Sequence, residues 1–136
     1  MLYVLPFKSF RLSVIDSRGG LAIFTHSWKS TEEIIGDVLF SGMIQGINLI
    51  VKESVGQGEV RELMVDNGVF IFQRSAEHHL IFVLVASKSS RILRDSLIRF
   101  SDEFIQDYSP CLNNTTNIMQ FSGASDMVNK YFPYIA

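Results

Sequence analysis

The 136-residue sequence predicts a mixed α/β domain of the α+β kind, a five-stranded antiparallel sheet with helices on both faces. Three observations predict it. Short alternating or apolar runs, joined by turns rich in Gly, Asn and Ser, read as antiparallel hairpins. Two long stretches repeat apolar residues at three- and four-residue spacing, the period of amphipathic helices. The run Leu80-Ile81-Phe82-Val83-Leu84-Val85-Ala86 does not alternate at all. Apolar on both sides, it fits a central strand with both sheet faces covered.

The first strand spans residues 10–16, where Phe10, Leu12 and Val14 point one way and Arg11 and Ser13 the other. Ser17-Arg18-Gly19-Gly20 supplies a tight reversal into a second strand at 21–26, with Trp28 just past its end. A helix is predicted from Ser30 to about Val55. Ser30 and Glu33 have capping-box spacing, and Ile34, Ile35, Val38, Leu39, Met43, Ile47, Ile50 and Val51 form its apolar stripe. Gly42 and Gly46, one turn apart, read as close packing of this helix on the sheet. After Gly56-Gln57-Gly58, three strands are predicted at 59–65, 69–74 and 79–86, the first two joined by Asp66-Asn67-Gly68. Ser89 or Ser90 caps a second helix reaching Tyr108, with Leu93, Leu97, Phe100, Phe104 and Tyr108 buried and Pro110 ending it. A polar loop at 113–117 and a short apolar turn at 118–121 lead to a last helix at about 125–132. That helix lays Met127, Val128, Tyr131 and Phe132 on the core. The order is β-β-α-β-β-β-α-α, in a single domain over 1–136 with no internal repeat or linker.

Composition narrows the function classes. With 47% hydrophobic residues and 19% charged, the chain is apolar enough to fold without disulfides or a structural metal. A net charge of -2 argues against a nucleic-acid partner, which needs a basic face to displace counterions. Cys111, the single cysteine, has no internal partner for a disulfide and points to a reducing, cytoplasmic setting. The opening apolar stretch precedes its first positive charge, Lys8, which is the reverse of a signal peptide. No apolar run approaches the roughly 18–20 residues of a membrane span. Asn113-Asn114-Thr115-Thr116 holds two overlapping glycosylation sequons, read here as a polar loop.

A search for chemistry predicts no enzyme, cofactor or metal. There is no nucleophile elbow or phosphate loop, and Gly19-Gly20 and Gly56-Gln57-Gly58 read as turns. His78 and His79, adjacent at the start of a strand, point to opposite faces and cannot share an ion. Cys111 has no base nearby in sequence, so an enzyme requires that the fold bring it together with His79 and an acid. The carboxylates Glu32–Glu33 and Asp102–Glu103 diverge by about 100° on their helices and do not share a proton. The eleven Phe fall at core positions rather than among Lys and Arg as a base-stacking platform requires.

Taken together, this order of elements resembles a longin domain over about residues 8–135. The resemblance is carried by Val14-Ile15-Asp16-Ser17-Arg18-Gly19-Gly20-Leu21-Ala22-Ile23-Phe24, by Phe40-Ser41-Gly42-Met43-Ile44-Gln45-Gly46-Ile47, and by Phe100, Phe104 and Tyr108 at four-residue spacing. Similar stretches occur in archaeal longin-like proteins and, more distantly, in sedlin-type tethering subunits. The roadblock family shares the sheet-and-helix core, but its members usually begin with a helix. Here the chain before Phe10 is short and contains Pro6. The resemblance implies a sheet order of 2-1-5-4-3 and a non-enzymatic scaffold. Such scaffolds pair with a second copy or with another longin- or roadblock-type chain, and bind or regulate small GTPases, as in vesicle-trafficking complexes. It also implies a cytoplasmic protein brought to membranes only through partners.

With that sheet order, the second strand is an edge. Residues 21–25 carry no charge and no proline, the usual guards of an edge. Leu21, Ile23 and Thr25, with His26, Trp28 and the outer side of the first predicted helix, are therefore the candidate protein-contact surface. The competing expectation is that residues 1–7 cover this edge. A small-ligand sensor is the alternative of a different class, and it requires polar side chains converging on an internal cavity.

Overall fold

The computed structural model describes residues 9–18, 21–28, 60–65, 68–75, 77–112 and 118–133. Five strands are present: β1 (Ser9–Asp16), β2 (Leu21–Ser27), β3 (Val60–Val65), β4 (Gly68–Ser75) and β5 (Leu80–Ala86). They form one sheet in the order β2-β1-β5-β4-β3, and each neighbouring pair is antiparallel. Two helices follow, α1 (Arg91–Tyr108) and α2 (Ala124–Tyr131), with 3-10 turns at Ser109–Cys111 and Ile118–Phe121 between them. The chain is thus α+β. The first predicted helix, Gly42 and Gly46, the Gly19-Gly20 turn and the 113–117 loop lie outside the described residues.

The apolar run at 80–86 occupies the centre of the sheet, as its lack of alternation predicts. Every residue of β5 is buried. Its Leu80, Phe82, Leu84 and Ala86 join Leu12 and Val14 of β1 and Val69 and Ile71 of β4 on the face that packs against α1 and α2. Ile81, Val83 and Val85 are buried on the opposite face with Ile15, Phe70 and Phe72. Covering both faces removes apolar area from water at roughly 25 cal/mol per Å², which is why this strand needs no polar side.

The helix-side core contains an aromatic cluster. Phe100 lies 6.1 Å from Phe82, 6.0 Å from Phe104 and 6.4 Å from Phe24, centroid to centroid. Phe104 continues the cluster to Phe121 and Tyr108 at 5.8 and 4.8 Å. α1 starts where its cap dictates: Ser90 is extended, and its hydroxyl accepts the Leu93 N–H at 3.1 Å. Glu103 ties the two helices together, accepting hydrogen bonds from Lys130 Nζ at 2.6 Å and from the Tyr131 hydroxyl at 2.9 Å.

Several turns are fixed by identifiable groups. Asp16 accepts the Arg18 backbone N–H at 3.0 Å, and the Arg18 guanidinium grips both oxygens of the same carboxylate. Arg18 Nη2 also donates to the Leu112 carbonyl at 3.0 Å, binding the β1–β2 turn to the residue that closes the 3-10 turn after α1. Gly68 opens β4 rather than ending a turn. A Cβ there would lie 2.6 Å from the Ala86 carbonyl oxygen, so only glycine lets β4 approach β5 this closely. His79 is a correction to the expected strand at 79–86. It sits in the β4–β5 turn with φ 56°, and its carbonyl accepts the Ser17 N–H at 2.9 Å.

Candidate functional site: the β2 edge

β2 ends the sheet on one side, and no described strand pairs with its outer side. Its pairing with β1 runs Arg11↔Ser27, Leu12↔His26, Ser13↔Thr25 and Val14↔Phe24, then shifts to Ile15↔Ala22. Ile23 is the extra residue of a β-bulge. A bulge lets two successive side chains turn to one face. Here Ile23 belongs to the core under the helices and Phe24 packs against the same core.

The bulge corrects the predicted surface. Ile23 is 2% exposed, so its side chain supplies core packing and not contact area. Thr25 is exposed on the other face, where its hydroxyl lies 3.3 Å from that of Ser13. Ala22 is exposed on that face too, paired with Ile15. Leu21 opens the strand, and its side chain is outside the described set. Of the five residues, His26 and Trp28 are brought into ring contact. Their rings meet near-perpendicular at 4.8 Å, on the helix side of the edge.

Both are half-buried. Trp28 continues onto Phe132, 5.9 Å away at the end of α2, and Phe132 onto Phe100 at 6.3 Å. Helical spacing places Phe132 in the core but does not connect it to the edge, because that contact joins residues over a hundred positions apart. Burial pushes the His26 imidazole below its ordinary pKa, favouring the neutral ring. Among the described residues the strand therefore offers one line of main-chain groups at its outer side, small exposed residues on one face and an aromatic pair on the other. That combination suits strand addition with an aromatic anchor.

The opposite edge is guarded. Glu62 of β3 accepts from Arg94 Nη1 at 3.1 Å and from the Ser89 hydroxyl, so a charge carried by this edge strand also holds the first turn of α1. Other polar groups are occupied structurally. His78 Nδ1 lies 3.0 Å from the Ser75 hydroxyl, and Cys111 is a half-buried free thiol beside the core. Among the described residues, no three His, Cys, Asp or Glu side chains converge on a metal position, and no helix is long and apolar enough to cross a membrane.

Compared with protein-family models and with curated proteins, the chain matches none.

Proposed function

We propose that this protein is a non-enzymatic interaction scaffold of the longin type, which assembles through β2 with a second copy or with another longin- or roadblock-type chain. In this reading the assembled sheet presents a surface to a small GTPase. The observation that carries it is the position of β2 at the end of the sheet, with neither charge nor proline along Leu21–Ser27. Unpaired strand edges are templates for another strand unless guarded. Two further features support the reading. The strand order β2-β1-β5-β4-β3 coincides with the order the longin resemblance implies. The ring-to-ring packing of Phe82, Phe100, Phe104 and Phe121 favours a filled core over a small-ligand sensor.

Sedimentation of the full chain across a wide concentration range tests the self-pairing arm. Ala22→Lys with Thr25→Lys places two charges on exposed positions of the edge without entering the core. The wild type is expected to associate and the double variant to stay monomeric with an unchanged far-UV spectrum. If the wild type is a monomer and also fails to pair with purified longin- and roadblock-type chains, the reading is wrong.

A further inference from the structure

Three perpendicular or tilted ring contacts run in series from the sheet edge into the core: His26 to Trp28, Trp28 to Phe132, and Phe132 to Phe100. Phe132 is the residue on which α2 ends, donating its N–H to the Val128 carbonyl at 2.8 Å, and it is 2% exposed. The ring contact from the β2 side to the end of α2, Trp28 on Phe132, is thus backed by His26, the titratable ring of this series. We propose that His26 is an acid-sensitive latch, whose neutral ring holds Trp28 against Phe132 and so holds the end of α2 on the sheet edge. This role rests on contacts within the chain and not on the proposed pairing of the edge.

The surroundings of His26 decide how it responds to a proton. Across the strand it faces Leu12, and Arg11 lies on the other face of the sheet. The 3-10 turn Ile118–Phe121, which approaches β2, carries no titratable side chain. On α2 the charged groups are Asp126 and Lys130, joined by the Tyr131 phenol. Lys130 and Tyr131 are both held by Glu103 of α1, and Asp126 acts on Tyr108. On α1, Arg99 and Asp102 are exposed. Among the described residues none of these charges compensates an imidazolium, and burial alone opposes it. The proton, taken from solvent, leaves a cation half-buried against an indole. At a sheet edge the ring relieves that cost by turning toward water, which withdraws one side of the Trp28 packing.

The sign follows from linkage. A group whose folded pKa lies below its unfolded value contributes stability above the unfolded value and loses it as pH falls. The latch is therefore closed above the ordinary histidine range and opens below it. Trp28 is the single tryptophan of the sequence, so its fluorescence reports this contact without background. Titration of the full chain from pH 8 to pH 5, about one and a half units either side of the ordinary histidine value, is expected to show a transition with its midpoint below that value. Amide exchange at Met127–Phe132, corrected for intrinsic rates, is expected to rise in the same range. The rise is up to about tenfold for each unit by which the His26 pKa is depressed. His26→Gln is expected to abolish both changes. Should that variant fail to fold, the imidazole Cε1–H resonance of wild-type His26 supplies the midpoint directly. A flat fluorescence titration overturns the latch. So does a midpoint above the ordinary value, because the indole then stabilises the cation. A tryptophan transition without any change in α2 exchange also overturns it.

Discussion

Two lysine substitutions two residues apart separate the bulged edge strand from a regular one. In an uninterrupted strand, residues i and i+2 share a face, so Ile23→Lys and Thr25→Lys would cost similar amounts. In this fold Ile23 is 2% exposed in the helix-side core, whereas Thr25 is exposed on the other face. Ile23→Lys loses about 1.5–3 kcal/mol of side-chain burial. Confining the ammonium adds a pKa depression of up to about 3–5 units, worth about 4–7 kcal/mol. The sum, about 6–10 kcal/mol, is comparable with the about 5–15 kcal/mol that stabilises a typical domain. Thr25→Lys loses one hydrogen bond to Ser13 and stays within about 1 kcal/mol of wild type. Urea unfolding monitored by Trp28 fluorescence and far-UV circular dichroism reads both. Ile23→Lys is expected to be largely unfolded in buffer, and Ile23→Ala to lose about 2–5 kcal/mol. Equal midpoints for the two lysine variants would refute the bulge and the face assignment built on it.

Three further outcomes follow from single contacts. Gln73 Oε1 is buried on the helix side of β4 without a hydrogen-bond partner, so Gln73→Leu is expected to gain about 1 kcal/mol and raise Tm by about 3–5 °C in calorimetry. Gly68→Ala drives a methyl group into the Ala86 carbonyl and is expected to lose about 1–3 kcal/mol, read from the urea midpoint. Hydrogen bonds from Lys130 and Tyr131 hold the Glu103 carboxyl below its ordinary pKa. Its folded pKa being depressed, the stability it contributes is present above the ordinary glutamate range and is lost as pH falls below it. Glu103→Gln is expected to flatten that part of the pH–stability curve, and an unchanged acid limb in the variant would remove Glu103 from the account.

Much of the fold was legible because its signals are local. The caps and breakers at Ser90 and Pro110 and the 3.6-residue stripe of α1 lie within one element. The same holds for the apolar run of β5, whose burial on both flanks follows from its composition. The β2 edge was legible only in part. Its lack of charge was plain, but the face of each side chain was not. The adjacent pair Ile23-Phe24 was the available sign, since two large apolar neighbours on an edge strand satisfy alternation only if one of them faces water. His79 was illegible for a related reason: a left-handed residue at the start of a run reads in sequence as one more strand position.

Among the described residues, the sequence by itself determined, to within a residue or two, which segments become strands and helices and which strand is central, because propensity, capping and hydrophobic period act over a few residues at a time. Only the tertiary structure decided that Ile23 turns inward, that Arg18 reaches the carbonyl of Leu112, and that Trp28 bridges His26 to Phe132. Those contacts join residues brought together only when the sheet and helices dock, and the free energy that selects them arises from packing shared among elements, which no single segment encodes.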